Sequence, residues 1–452
     1  MGGLSAMWQI VLLVVAIAFI VLATSRLKLH PFLALLIAAF GYGILSRQMS
    51  LKGVVDSIND GFGVTIGQIG IVILAGSIIG TFLEKSGGAA RLAQRTVDLV
   101  GPRQVPMAMG IIGYIVSIPV FCDSGFILLA PLARSLSSKA RVPLAAGAMA
   151  LSLGLYATHT MVPPTPGPVA AAAALEADLG RVILFGLIVS VPALVVSWLF
   201  SVKIASRVKL APDESMESGS PRSVSDGPSV AKSLAPILTP IVLILLRSVC
   251  TLQDAPLVEG WVAELIGFLG QPVVALLIGV FLAFLLPAKL TSSMLSASGW
   301  VGEAVLAAAT IILITGCGGA FGKVLRESHI ADVVSQVLGD ASAWGLWLPF
   351  VLAAAIKTAQ GSSTVAIITT AGIVAPMLDP LGLATPTGRA LAVVAIGAGS
   401  MVVSHVNDSY FWIVTQLSTM TVRQGYKLQT FGTLIEGLAA AVAVWVLGAC
   451  LL

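Results

Sequence analysis

Apolar runs long enough to cross a bilayer as helices recur along the whole chain, among them residues 7–24, 66–83, 182–202, 262–286 and 431–452. The pattern predicts an all-α polytopic membrane protein, because a spanning barrel would show short alternating strands instead. The first run has no basic segment ahead of it and no small-residue cleavage site before Arg26 and Lys28, so it reads as a retained span rather than a signal peptide. One long polar stretch interrupts the series. It is RVKLAPDESMESGSPRSVSDGPSVAKS at 207–233, and its Ser, Pro, Asp and Glu content predicts a flexible linker. The expected division is an N-terminal transmembrane repeat over 1–206, the linker over 207–233 and a C-terminal transmembrane repeat over 234–452.

A faint internal repeat supports two related halves. AGSIIGTFLEKSGGAARLAQ (75–94) aligns with CGGAFGKVLRESHIADVVSQ (317–336), with identities at Gly76/Gly318, Gly80/Gly322, Leu83/Leu325, Ser86/Ser328, Ala89/Ala331 and Gln94/Gln336. Nearly the same offset brings Thr158-His159 onto Ser404-His405, two of the four histidines in the chain. Basic residues at Arg26/Lys28, Lys85/Arg91/Arg95/Arg103, Arg134/Lys139/Arg141 and in the linker fit one membrane side if the first half crosses an odd number of times. An odd count inverts the second half, as in many secondary transporters. Arg47 and Lys52 fall on the opposite side in this scheme.

The helices must break at defined places. ATHTMVPPTPGPVAAAAAL (157–175) carries prolines at 163, 164, 166 and 168, each without an amide and each constraining the residue before it. The apolar segment 169–175 that follows is too short to cross, which predicts a re-entrant element whose short helix is opened by Pro168. Its free amides could face an anion. Irregular backbone at membrane depth is tolerated only where protein or a watery cavity satisfies it. Three further stretches share the pattern: SIPVFCDSGFILLAPL with Asp123, Ser124 and Gly125, KTAQGSSTVAIITTAGIVAPML with Gln360, Gly361, Ser362, Ser363 and Thr364, and GAGSMVVSHVNDSYFWIV with Ser404, His405, Asn407, Asp408 and Ser409.

A carboxylate in the centre of a spanning helix costs about 2.5–3.5 kcal/mol on insertion scales. Asp123 and Asp408 are therefore candidate proton-coupling groups, with Asp123 also placed to N-cap a helix beginning at Ser124. His159 and His405 either carry a proton near physiological pH or merely hydrogen-bond to backbone. Glu84 and Glu327 sit at helix ends, where snorkelling accounts for them. No lysine or arginine is read into the site.

Composition narrows the class further. The chain of 452 residues is 57% hydrophobic and 10% charged, with a mean hydropathy of +1.00, outside the soluble range. A net charge of +4 gives no reason to expect nucleic acid. Cys122, Cys250, Cys317 and Cys450 are too scattered for a metal spacing or an obvious disulfide framework, and no cofactor is expected. A hydrolase is disfavoured because His-Glu-x-x-His, Gly-x-Ser-x-Gly and Tyr-Asp motifs are missing from the sequence. A channel or a cation/proton antiporter remains a rival, since paired breaks and buried aspartates serve ions as well.

The blocks KLHPFLALLI, GFGVTIGQIGIVILAGSIIGTFLEKSGGA, PVFCDSGFILLAPL, THTMVPPTPGP, QGSSTVAIITTAGIVAPM and SHVNDSYFWIV, in this order, resemble the gluconate permease family of bacterial inner-membrane symporters, within the larger ion-transporter superfamily. The resemblance covers nearly the whole chain. It implies proton-coupled symport of gluconate or a related sugar acid such as fructuronate, idonate or glycerate. Uptake of another small hydroxylated anion or D-serine, or ion antiport of the same superfamily, is the alternative, and sodium is not excluded as the coupling ion. It implies two inverted repeats with re-entrant hairpins and broken helices, in an elevator-type arrangement of scaffold and transport domains. By position, the first repeat would supply Asp123, Ser124, Gly125, Thr158, His159, Thr165 and Gly167. The second would supply Gly361, Ser362, Ser363, Thr364, Ser404, His405, Asn407 and Asp408. The expected partners are a small sugar acid, protons and the lipid bilayer, with homo-oligomerisation left open.

Overall fold

The computed structural model describes residues 2–101, 104–210, 227–250, 260–330, 332–333 and 345–452, and these contain helices and no strands. Most of the linker, and with it Arg103 and the repeat positions Ala331 and Gln336, lies outside the described residues. The first half contains α1 (Gly2–Ser25), α2 (Pro31–Ser46), α3 (Leu51–Lys85), α4 (Gly88–Val100), α5 (Val105–Val116), α6 (Cys122–Ala140), α7 (Leu144–His159), α8 (Pro166–Ala174) and α9 (Leu179–Lys203). The second contains α10 (Val230–Cys250), α11 (Trp261–Leu269), α12 (Pro272–Ala283), α13 (Trp300–Glu327), α14 (Trp347–Gln360), α15 (Ser363–Val374), α16 (Pro386–Met401), α17 (Ser409–Leu417) and α18 (Phe431–Leu451). Among the described residues six helices are long and apolar enough to cross a membrane, or up to seven if α11 and α12 form one span. The run expected as a single span at 262–286 is instead bent by 64°, at a break where Gly270 ends α11 and Pro272 opens α12.

Caps in the sequence set several helix starts. Ser50 accepts from Gly53 N to begin α3, and Asp178 accepts from Arg181 N to begin α9. The long helices α3 and α13 make the most extensive helix–helix contact, and small residues permit it. A methyl group added at Gly61 would stand 2.7 Å from the carbonyl oxygen of Gly319 and 2.7 Å from Lys323 Cβ. Where lipid offers no hydrophobic drive between helices, such close backbone approach is a main source of packing attraction.

The expected re-entrant segment takes a different form. α8 packs on α15, α3 and α16 rather than back against α7, so 144–174 is one interrupted helix pair. Among the consecutive helices that do pack against each other are α5–α6 and α14–α15, each joined by a short break. Pro166, not Pro168, opens α8, because Thr165 adopts the extended N-cap conformation and leaves Pro166 at the first helical position. The intervening turn, with a cis bond between Pro163 and Pro164, is buried. Its carbonyls are met by glycines of three helices: Gly186 of α9 lies against Met161, Gly397 of α16 against Thr160, and Gly76 of α3 against Pro164. At the far end, Arg389 of α16 donates to Leu175 O at 3.0 Å, holding a carbonyl that α8 leaves unsatisfied.

The same sequence of elements runs through both halves. The long helix α3 ends at the C-cap Ser86 and α13 at the C-cap Ser328, one of the pairs identical in the sequence repeat. After α4 in the first half comes the pair α5–α6 and in the second half the pair α14–α15, and each pair is followed by a helix of 16 residues, a break and a helix of 9 residues (α7–α8 and α16–α17).

Candidate functional site

A cavity of about 90 Å³ lies where the N-termini of α6, α15 and α17 meet the C-terminal end of α7. The amides of a first helical turn have no intrahelical acceptor, and each N-terminus carries partial positive charge. Three such ends at one cavity make a place for an anion. Phe121, not Asp123 as expected, is the N-cap of α6, two residues earlier and without a side-chain cap bond, so no side chain caps the amides of its first turn, where Asp123 lies. At α15, Ser362 caps Val365 N at 3.3 Å, and Ser363 and Thr364 border the cavity. At α17, Asp408 is the N-cap, accepting from Tyr410 N at 3.0 Å.

The two aspartates differ in their surroundings. Asp408 is buried and fully engaged: Oδ2 accepts from Lys357 Nζ at 2.5 Å and from Ser404 Oγ at 2.5 Å. Lys357, wholly buried in the last turn of α14, also donates to Gly361 O and stands 6.0 Å from the centre of the Tyr156 ring. Asp123 has only long contacts, with Ser409 Oγ at 3.4 Å and Cys122 Sγ at 3.7 Å, and no cation touches it among the described residues. His159 lines the same cavity with its ring 6.0 Å from that of Phe121, and its buried Nδ1 has no partner. Tyr156 hydrogen-bonds Ser363 and stacks on Tyr410 with ring centres 5.1 Å apart, which closes one wall.

The residues expected from sequence separate into two groups. Asp123, His159, Ser362, Ser363, Thr364 and Asp408 line the cavity, with Ser124 one residue further along α6. Gly361, Ser404, His405 and Asn407 stand behind it. Asn407 Nδ2 donates to Thr358 O at 2.9 Å and Ala359 O at 3.2 Å, and His405 Nε2 meets Thr358 O at 2.8 Å. These three contacts satisfy carbonyls that end α14. A carbonyl only accepts, so His405 Nε2 carries the proton there, and its partner is backbone. Thr158 Oγ1 donates to Tyr114 O at 2.9 Å and ties α7 to α5, while Gly125 packs under Leu155. Thr165 Oγ1 donates to Val162 O at 2.7 Å within its own turn, and Gly167 lies against Ile367 of α15, away from the cavity lining.

No lysine or arginine lines the cavity among the described residues, but Lys357 stands directly behind it, paired with Asp408. Its signal was present: a lone basic residue in the apolar run WLPFVLAAAIKTAQ is itself a pointer to a buried partner. Tyr156, Tyr410 and Cys122 line the cavity itself and carry no distinguishing pattern in the sequence.

Gly361 has φ 96°, and a methyl group there would stand 2.6 Å from the backbone carbonyl carbon of Asn407. Gly361→Ala is therefore expected to lower stability by about 1–3 kcal/mol and to abolish uptake. Thermal unfolding of the detergent-purified protein checks this, with Gly41→Ala as control because nothing lies within 4 Å of a methyl group there.

A profile described as GntP family permease matches residues 8–450. A gluconate permease of Pseudomonas aeruginosa is 35% identical over 431 residues, covering 92% of this chain and 92% of that protein. A D-serine transporter of Escherichia coli K12 is 33% identical and covers 98% of this chain and 99% of its own. Among solved structures, Neisseria gonorrhoeae MtrF, titled as illuminating a class of antimetabolite efflux pumps, superposes with a TM-score of 0.67 at 15% identity, covering 94% of this chain and 96% of that one, which shows a shared fold alone. With a family match over nearly its whole length, this chain belongs to the GntP family of permeases, multi-pass membrane transporters and not enzymes.

Proposed function

We propose that this permease performs proton-coupled symport of gluconate or a closely related sugar acid across a bacterial inner membrane, and that the cavity between α6, α15 and α17 is its substrate and coupling site. The observation that carries the reading is the convergence of three helix N-termini on a cavity that also holds a carboxylate without a counter-charge, Asp123. The amides and Ser363 suit a carboxylate, while Ser362, Thr364 and Ser409 suit hydroxyls. Protonation of Asp123 removes the negative charge that a substrate carboxylate would meet, so proton and anion bind cooperatively. The cavity of about 90 Å³ holds roughly three waters, less than a six-carbon acid requires, so the walls must part to load it. The matched order of elements in 1–206 and 234–452 supports two inverted repeats, and the reading adds movement of the site-bearing helices against a scaffold built on α3 and α13.

Purified protein is expected to gain thermal stability with gluconate or a related sugar acid, by about 2.7 kcal/mol at a hundred times the Kd. The same donor set suits the carboxylate and hydroxyl of D-serine, and a response to D-serine alone would replace the sugar acid in this reading. In proteoliposomes, an imposed pH gradient should drive accumulation. Accumulation that follows a sodium gradient and ignores the pH gradient would defeat proton coupling.

A further inference from the structure

Two threads of hydrogen bonds leave the candidate site and end on one face of the last helix. Ser404 Oγ donates to Asp408 at 2.5 Å, and Ser404 N donates to Thr433 Oγ1 at 3.0 Å. Tyr410 OH donates to Ser152 O at 2.8 Å, and Ser152 Oγ donates to Gln429 Oε1 at 2.8 Å. Gln429 lies in the π-helical turn Tyr426–Thr430 that leads into α18, and steps of four and three residues then align Gln429, Thr433 and Glu436 on one face. All three are fully buried. Among the described residues Gln429 Nε2 has no partner, and the Glu436 carboxyl has Ser197 Oγ of α9 as its polar neighbour, at a geometry looser than a regular hydrogen bond. A buried carboxyl whose polar neighbour is one loosely placed hydroxyl is poorly satisfied as an anion, and a proton on it relieves that cost.

We propose that Glu436 is a second proton-binding site, loaded and emptied once per transport cycle, so that uptake of a sugar-acid monoanion carries one net positive charge inward. The inference rests on the proton-coupled reading above. Loading joins one proton from the outer aqueous side to the carboxylate as an O–H bond, and release on the inner side restores the carboxylate. The protonated acid is a neutral donor for Ser197 Oγ.

Among the described residues, no charged group from the surrounding helices pairs with this carboxyl. On α9, Arg181 and Lys203 occupy the first and last turns. On α16, Arg389 pairs with Glu176, and on α14, Lys357 pairs with Asp408. On α7, Tyr156 and His159 line the cavity. In the π-helical turn, Tyr426 and Lys427 are exposed. Tyr410 of α17 is the titratable group within electrostatic reach of Glu436.

The test is the ratio of charge to substrate, from currents on supported membranes and labelled gluconate uptake by the same proteoliposomes. The wild-type protein is expected to move one positive charge per gluconate, and a potential of 100 mV, negative inside, to raise accumulation about fiftyfold. Glu436→Gln, isosteric with the neutral acid, is expected to keep uptake driven by the pH gradient and to lose both the current and the response to potential. A wild-type ratio of zero with uptake still driven by the pH gradient overturns the second site while sparing the first reading, and it does so whether or not the variant folds. An unchanged ratio in Glu436→Gln overturns it equally. Wild-type uptake indifferent to the pH gradient defeats the underlying reading instead.

Discussion

Lys357→Met is expected to be the most damaging single substitution in the protein. It leaves Asp408 buried with its hydrogen bonds from Ser404 and Tyr410 N but no counter-charge, and removing one partner of a buried pair costs about 3–5 kcal/mol. The same change strips a donor from Gly361 O at the turn between α14 and α15, so the hairpin tip loses its anchor as well. Thermal unfolding and expression yield measure the loss. The double variant Lys357→Met/Asp408→Asn removes both charges and is expected to recover most of the stability, because the desolvation cost disappears together with the attraction. Uptake should stay at background in both. A single variant as stable and active as the parent would show that the pair contributes nothing.

Asp123→Asn is expected to separate transport from its driving force. Asparagine keeps the shape and the neutral, hydrogen-bonding character of the protonated acid but cannot release a proton, so exchange of labelled against unlabelled substrate should persist. Accumulation driven by a pH gradient should fall by about tenfold for each pH unit imposed, the free energy of one coupled proton. The long contacts of Asp123 with Ser409 and Cys122 mean that little structure depends on its charge, and stability should change by less than about 1 kcal/mol. Concentrative uptake at the parental level in Asp123→Asn would remove this residue from coupling. The same experiment on Asp408 is not informative, since its carboxylate is bound up with Lys357 and the N-cap of α17.

The two aspartates show how far the primary structure reaches. Both stand out as ionisable residues in apolar surroundings, and nothing local distinguishes them. The histidines behave alike: His159 and His405 occupy matching positions in the repeat, yet His159 faces the cavity with an unpartnered nitrogen while His405 closes the end of α14. Thr165 and Gly167 belong to a turn that sequence marks plainly as a break, but the turn is enclosed by glycines of α3, α9 and α16 and serves packing.

The sequence by itself determined the membrane class, most of the helical spans and several of the helix breaks, though not the one at Gly270 and Pro272, because these depend on hydrocarbon length, proline chemistry and helix capping, all local along the chain. It also supplied the block pattern by which the chain is recognised as a permease. Only the tertiary structure decided which helix N-termini converge, that Lys357 is buried against Asp408 across 51 positions of chain, and that Glu436 is buried beside Ser197 rather than beside a cation. The reason is physical: a charge in a nonpolar interior is stabilised or left costly by groups from other helices, and periodicity within one helix carries no record of what packs against it.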